Sequence, residues 1–372
     1  MSRQRRAERA TPACYAITMS GLEAIAADEI ETELGAEIKR AARGVVVFRP
    51  PAITGELLRL RTTEDVFVLA WGSDSLSYRA ADLDLIRKWT AQRSDWTHLL
   101  QIHHAIRPKP KGRPTYHLVA QMTGEHGYRR IDALNAMAKG LAGKLPASWR
   151  AADENAAIEI WLTIHGDMAV CGIRLSDRTM RHRKYKLEHV PASLRPTVAA
   201  AMVRAADCRP GHTVVDPMCG AGTILAECLA AFAGSRREQA AVLGGDIDVA
   251  ALRAARSNLR QFVGEPRLCR WNAASLSLPS ESVDRILSNP PFGRQLGRPE
   301  ETAGLYRDLV TECHRVLRPE GRAAILVSDV RALKAASQAV RWKQEGQWRL
   351  RLLGQPAFLT VWRKPRPMTI LH

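Results

Sequence analysis

No CxxC pair occurs in the 372 residues, and the seven cysteines fall at spacings that suit neither a zinc site nor a disulfide framework. Most of them (Cys14, Cys171, Cys208, Cys219, Cys228, Cys269 and Cys313) sit among apolar residues and read as small hydrophobic packing groups, which fits a reducing compartment. No apolar run is long enough to cross a membrane, and the basic residues 1–9 are not followed by the apolar stretch of a signal peptide. A soluble, cytoplasmic protein is expected. His103, His104 and His182 stand in no ligand spacing, so no metal is expected. There is no helix-turn-helix or zinc signature of a DNA reader, no internal repeat and no low-complexity segment. Acid is also scarce. Against 55 Lys and Arg stand 38 Asp and Glu, a formal net charge of +17. Such a surface attracts a polyanion and speeds its encounter; general solubility is the ordinary alternative.

What is present falls into two halves. After a basic tail over residues 1–12, Leu22, Ile25, Ala26, Ile30 and Leu34 recur at helical spacing and Gly35 stops the helix. Residues 45–48 and 66–71 read as strands, and Leu57, Leu58 and Leu60 suggest a helix between them. Residues 82–90 and 131–145 look helical. Between these two, residues 107–114 read RPKPKGRP, whose prolines and glycine forbid regular structure; Lys109, Lys111 and Arg113 make it either a solvated linker or a phosphate-touching loop. Residues 158–164 alternate as a half-buried strand, and residues 168–175 return beside it. A basic cluster follows, including Arg181, Arg183 and Lys184, and leads to a hinge at Pro191.

From Ser193, expected to cap a helix over residues 196–206, the pattern changes to strands and helices in alternation. That order makes an open, mostly parallel sheet with helices on both faces. The first strand runs into Asp216-Pro217-Met218-Cys219-Gly220-Ala221-Gly222-Thr223. The glycines let a ligand approach the backbone, and the helix beyond offers free N–H groups. GxGxxG spacing is missing, as is GK[ST], so neither the dinucleotide fingerprint nor a P-loop is present. The second strand ends in Asp246 and Ile247, a carboxylate placed for ribose hydroxyls and an apolar wall for a base; the third ends in Asn272-Ala273.

On these residues, the segment from about Ser193 to Arg363 resembles the class I S-adenosylmethionine-dependent methyltransferases, with a seven-stranded, mostly parallel Rossmann-like α/β sheet. The resemblance implies that Asp216, Pro217, Cys219, Gly220, Gly222 and Thr223 surround the methionine part of the cofactor. Asp246 and Ile247 would meet the ribose and adenine, and Asn272, Ala273 and Asn289 complete the site. Asparagine at 272 replaces the aspartate usual in amino-methylating members, and an amide can still bond adenine. The fourth strand ends in Ser288-Asn289-Pro290-Pro291-Phe292-Gly293. As an isolated string this is a stiff turn; at this position it resembles the [DNS]PP[YFW] motif of enzymes that methylate planar amino nitrogens. The chemistry needs these types. A base amine has its lone pair spread into the ring, and two acceptors, the Asn289 side-chain oxygen and the Pro290 carbonyl, can draw it back onto nitrogen. Prolines hold the carbonyl direction, and Phe292 can stack on an extruded base. Arg294 lies just beyond as a phosphate contact or a surface-loop residue.

The first half resembles the ferredoxin-like plus THUMP arrangement of RNA-modifying enzymes, with Tyr15-Ala16-Ile17-Thr18-Met19-Ser20-Gly21-Leu22-Glu23 as its opening and Leu60 to Val66 as a later segment. Its expected boundaries are 13–75 for an α+β ferredoxin-like domain, 76–177 for THUMP, 178–192 for a basic linker and 193–372 for the methyltransferase domain. Both halves in this order mark the THUMP-containing tRNA guanine-N2 methyltransferases. That implies N2-methylguanosine formation in structured RNA, with the tRNA acceptor stem favoured, by a monomer, with a small activating subunit left open. Lys109, Lys111, Arg113, Arg181, Arg183, Lys184 and Arg294 would then contact phosphates. The alternatives are an adenine-N6 methyltransferase on RNA or DNA, an RNA-binding protein with an inactive methyltransferase domain, and, with less need for the charge, a protein glutamine methyltransferase.

Overall fold

The computed structural model describes residues 11–190, 193–233, 241–262, 267–292, 299–352 and 354–367. The chain divides into two compact units: one is Ala27–Met180 with the segment up to Thr18, the other is Met19–Ala26 with the chain from Arg181 onward.

The first unit is built on one sheet. Its elements are β1 (Cys14–Thr18), α1 (Glu23–Leu34, whose first turn belongs to the second unit), β2 (Glu37–Ala42), β3 (Val45–Arg49), β4 (Thr63–Ser73), α2 (Asp82–Gln92), α3 (Trp96–Ile106), β5 (Thr115–Thr123), α4 (Arg130–Leu141), β6 (Arg150–Ala151), β7 (Ile158–His165) and β8 (Met168–Arg174). The eight strands are ordered β2-β3-β1-β4-β8-β7-β5-β6. Tyr15 stacks on Phe67 at 4.5 Å in its core, beside Val45, Trp161, Met168 and Val170. Because β4 pairs with β8 over Phe67–Ser73, residues 13–75 and 76–177 share this one sheet, and no break falls at the boundary expected near residue 75. Residues 57–60 do not form the expected α-helix; a short 3-10 turn, Gly55–Arg59, is capped by Thr54 and buries only Leu57.

The second unit contains α5 (Pro196–Ala205), β9 (Thr213–Asp216), α6 (Thr223–Ala231), β10 (Ala241–Asp246), α7 (Val249–Leu259), β11 (Arg267–Arg270), β12 (Val283–Ser288), α8 (Pro299–Val316), β13 (Leu317–Val327), α9 (Val330–Ala339), β14 (Lys343–Leu352) and β15 (Gln355–Arg363). Its seven strands are ordered β11-β10-β9-β12-β13-β15-β14. The first five are parallel, β15 runs antiparallel to β13, and β14 antiparallel to β15. Apolar strands buried on both faces explain the absence of simple alternation. Val214, Leu287, Ala324 and Leu326 face α5, α6 and α7, while Val215, Ile286, Ala323 and Ile325 face α8 and α9. Ser193 is not the cap of α5. Arg195 holds that position, Pro196 starts the first turn, and the Ser193 hydroxyl is buried without a partner. Among the described residues no helix is long and apolar enough to cross a membrane.

Candidate active site

Strand order fixes where a ligand can sit. The order reverses between β9 and β12, and both run toward the same edge, so the loop after β9 and the NPPF segment after β12 are neighbours at the carboxyl ends of the strands.

The loop after β9 turns sharply enough to need glycine. Gly220 has φ +52° and Gly222 φ +74°, both left-handed, and Gly222 is the residue that starts α6. The two glycines face different things. A Cβ on Gly222 would stand 3.0 Å from Leu259 Cδ1 and 3.2 Å from Ala255 Cβ, so Gly222 serves the packing of α6 on α7. A Cβ on Gly220 would meet only Val190 Cγ2 at 3.8 Å and otherwise enter open space, so this side of the loop has room for a ligand. Thr223, in the first turn of α6, is buried. Cys219 is also buried; its N–H bonds the Gly245 carbonyl at 2.8 Å, and burial pushes its thiol well above the ordinary value, so it is an inert wall.

Two carboxylates stand at this edge. Asp216 is 1% exposed, and its Oδ1 accepts from Met218 N at 3.1 Å. Burial pushes its carboxyl up to about 8, with the charge of Asp246 adding to that effect. Asp246 accepts from Gly220 N at 2.9 Å and from Asp248 N at 3.0 Å, so it also holds the glycine loop. Ile247, next in the chain, is 63% exposed, an apolar surface left uncovered at the tip of β10. Asn272 is exposed and its Oδ1 accepts from Ala274 N at 3.0 Å; Ala273 beside it is buried.

Trp271 escaped the sequence reading. Its indole lies where a Cβ on Gly245 would stand, within 2.0 Å of Nε1, and that Nε1 donates to the Pro217 carbonyl at 3.1 Å. One side chain therefore braces the loops after β9 and β10. A bulky aromatic immediately before the expected adenine contact, opposite a Gly-Gly pair, was the available signal.

At the end of β12, Ser288 is fully buried with its hydroxyl unpartnered. The Asn289 Oδ1 atom is buried without a hydrogen-bond partner. A buried acceptor left empty costs roughly 1–3 kcal/mol, so it is expected to meet a donor in the working state. Pro290 is buried, Pro291 is half-buried, and Phe292 packs partly against the cluster that faces α5, α6 and α7.

The basic residues divide. Lys109, Lys111 and Arg113 are exposed on an irregular loop, and Lys184 is exposed in the second unit. Arg181 is half-buried and engaged. Arg183 is not a free phosphate contact. Its side chain is 10% exposed and its Nε lies 3.3 Å from Oε1 of the fully buried Glu227 side chain, to which Tyr185 also donates at 2.6 Å. Arg294 lies outside the described residues, as do residues 1–10 of the expected tail. Among the described residues no group of three or more His, Cys, Asp or Glu is placed to hold a metal.

These groups suit S-adenosylmethionine. A buried carboxyl with no cation beside it among the described residues suits an ammonium, the open side of Gly220 leaves room for the chain bearing it, and Ile247 offers an apolar face to adenine. Together with the strand order and the lone antiparallel β15, they define a class I S-adenosylmethionine-dependent methyltransferase. Residues 183–354 match the family UPF0020, described as RMKL-like, methyltransferase domain. The chain is 32% identical over 232 residues to the tRNA (guanine(6)-N2)-methyltransferase of Thermus thermophilus, covering 62% of this chain and 67% of that protein. It is 33% identical to the U6 snRNA (guanine-N(2))-methyltransferase THUMPD2 of Mus musculus, covering 51% of this chain and 34% of that protein. The crystal structure of TrmN from Thermus thermophilus superposes with a TM-score of 0.75 at 26% identity, over 95% of this chain and 99% of that one. The chain belongs to the family of RNA guanine-N2 methyltransferases that these relatives represent.

Proposed function

We propose that this protein transfers a methyl group from S-adenosylmethionine to the exocyclic N2 of a guanine in structured RNA, with the acceptor stem of tRNA as the target. The observation that carries the reading is the buried, empty acceptor Asn289 Oδ1 at the end of β12, beside the cofactor loop. Relatives named for tRNA and for U6 snRNA share the guanine N2 atom and differ in the RNA, which supports the base more strongly than the RNA.

When bound, the cofactor supplies an electrophilic methyl group. The chain does the rest. Asp216 receives the ammonium end, Gly220 gives it room, and Asp246 takes the ribose hydroxyls. Ile247 and Ala273 cover the adenine, whose edge Asn272 meets. Asn289 Oδ1 and the Pro290 carbonyl accept the two amine hydrogens and turn the nitrogen lone pair outward. Pro290 and Pro291 keep that carbonyl aimed, and Phe292 stacks on the extruded guanine. In this reading residues 13–75 are a ferredoxin-like segment and 76–177 a THUMP segment that hold the RNA, with Lys109, Lys111, Arg113 and Lys184 on phosphates; residues 178–192 link them to the catalytic domain, 193–372. The protein works in the cytoplasm as a monomer.

The test is to incubate the purified chain with methyl-labelled S-adenosylmethionine and, in separate reactions, unmodified bulk tRNA, rRNA and snRNA, and to identify the labelled nucleosides. N2-methylguanosine is the expected product. Label in N6-methyladenosine overturns the base assignment. Label in rRNA or snRNA but not tRNA overturns the choice of RNA, and activity that requires an added small subunit overturns the autonomous monomer.

A further inference from the structure

Asn258 interrupts the apolar stripe Ala251, Ala255, Leu259 on the buried face of α7 and is itself 1% exposed. Its Oδ1 accepts from Leu187 N and Glu188 N, each at 2.8 Å. Its Nδ2 donates to the Glu188 carbonyl at 3.0 Å and to the Ala221 carbonyl at 2.9 Å. Two backbone donors at one end and two carbonyls at the other leave no ambiguity about which atom is oxygen. Ala221 lies between the two glycines of the cofactor loop, so one amide joins that loop to residues 187–188. Two residues further on, Val190 Cγ2 is the heavy atom nearest to the open side of Gly220, at 3.8 Å from the Cβ position. The upstream end of the same segment is held too: Tyr185 donates to Glu227 on α6 at 2.6 Å, and its ring lies 5.7 Å from that of Phe262. Between these anchors Leu187, Glu188 and His189 are exposed, as is Lys184 just before the first of them.

We propose that residues 185–190 form a strap that walls one side of the S-adenosylmethionine site, and that Asn258 is the positioning residue that holds strap and glycine loop at a fixed spacing. The inference depends on the cofactor and not on which base is methylated. Because the same amide serves both segments, cofactor binding and strap order are linked reciprocally: what holds one in place favours the other.

Two substitutions separate the two ends of the amide. Asn258→Ala removes all four bonds. Asn258→Asp keeps the acceptor for Leu187 N and Glu188 N but sets a carboxylate against the Glu188 and Ala221 carbonyls. Calorimetric binding of S-adenosylhomocysteine to the full chain, paired with the rate of tryptic cleavage after Lys184, reads both ends. At least tenfold weaker binding is expected in both variants. Cleavage in the cofactor-free protein should be fastest in Asn258→Ala, which removes all three bonds to residues 187–188, and added ligand should slow it in wild type far more than in Asn258→Ala. Leu333→Ala, a cut in the core on the opposite face of the sheet, controls for loss of stability and should bind within twofold of wild type. Binding within twofold in Asn258→Ala, or an equal loss in Leu333→Ala, overturns the proposal.

Discussion

The Asp216→Asn substitution should flatten part of the pH dependence of stability. Asp216 is 1% exposed, and burial pushes its carboxyl up to about 8, against the pull of the Met218 N–H and with the charge of Asp246 adding to burial. In the unfolded chain the same group titrates near 3.9. The folded, cofactor-free protein therefore holds one more proton than the unfolded chain between those values. Its contribution to stability is complete below pH 4 and is lost as pH rises to about 8. Each pH unit across that window is worth about 1.4 kcal/mol, so the loss between pH 5 and 8 approaches about 4 kcal/mol. Asparagine has nearly the same shape and no charge, and it removes this slope. The assay is urea unfolding of wild type and Asp216→Asn at each pH unit from 5 to 8 without cofactor. The difference between the two proteins cancels the other titrating groups, and it should widen in favour of the variant as pH rises. Parallel curves would refute the assignment of a protonated, buried Asp216.

Other expectations follow from the same geometry. Gly220→Ala should cost about 1–2 kcal/mol for its left-handed φ of +52° and leave the fold intact, yet weaken S-adenosylhomocysteine binding at least tenfold, because the new methyl enters the open side of the loop; calorimetry reads it. Arg183→Met should lower stability by about 3 kcal/mol in denaturant unfolding, since it strips a partner from the buried Glu227, while tRNA affinity changes little. Lys184→Ala should do the reverse, leaving stability unchanged and reducing the salt slope of tRNA binding by about 1. Trp271→Phe should cost about 2 kcal/mol and weaken cofactor binding, because the Pro217 carbonyl loses the indole N–H at 3.1 Å.

The catalytic half was legible because its rules are local. A strand, a glycine turn and a helix start are written in consecutive residues, and repeating that unit leaves few topologies for the sheet. Asp216, Asp246 and Asn289 could be placed because each is a polar residue at the end of a largely apolar strand. The first half was less legible. β2 exposes every second residue and carries Glu37, Lys39 and Arg40, so it lacks an apolar face to betray it. β5 follows directly on RPKPKGRP, which masked it. α3 carried its own start signal, Asp95, whose side chain accepts from His98 N at 3.1 Å, ahead of histidines whose spacing was weighed only for metal ligation. Charge misled in one place. Arg183 and Lys184 are adjacent and equal in formal charge, but one turns inward to Glu227 and the other faces solvent, a difference that depends on a carboxylate 44 residues away. Trp271 and Asn258 escaped for the same reason, since their partners come from other strands and loops.

The most direct measurement of the central claim is a single-turnover methyl-transfer rate for wild type, Asn289→Asp and Asn289→Ala, beside the S-adenosylhomocysteine affinity of each. If the buried Asn289 oxygen accepts an amine hydrogen from the target base, Asn289→Asp keeps an acceptor and a rate within about tenfold. Asn289→Ala should lose a factor on the order of a hundred to a thousand, as removal of one preorganised polar contact does elsewhere, with cofactor affinity nearly unchanged. An Asn289→Ala rate within threefold of wild type would contradict the account.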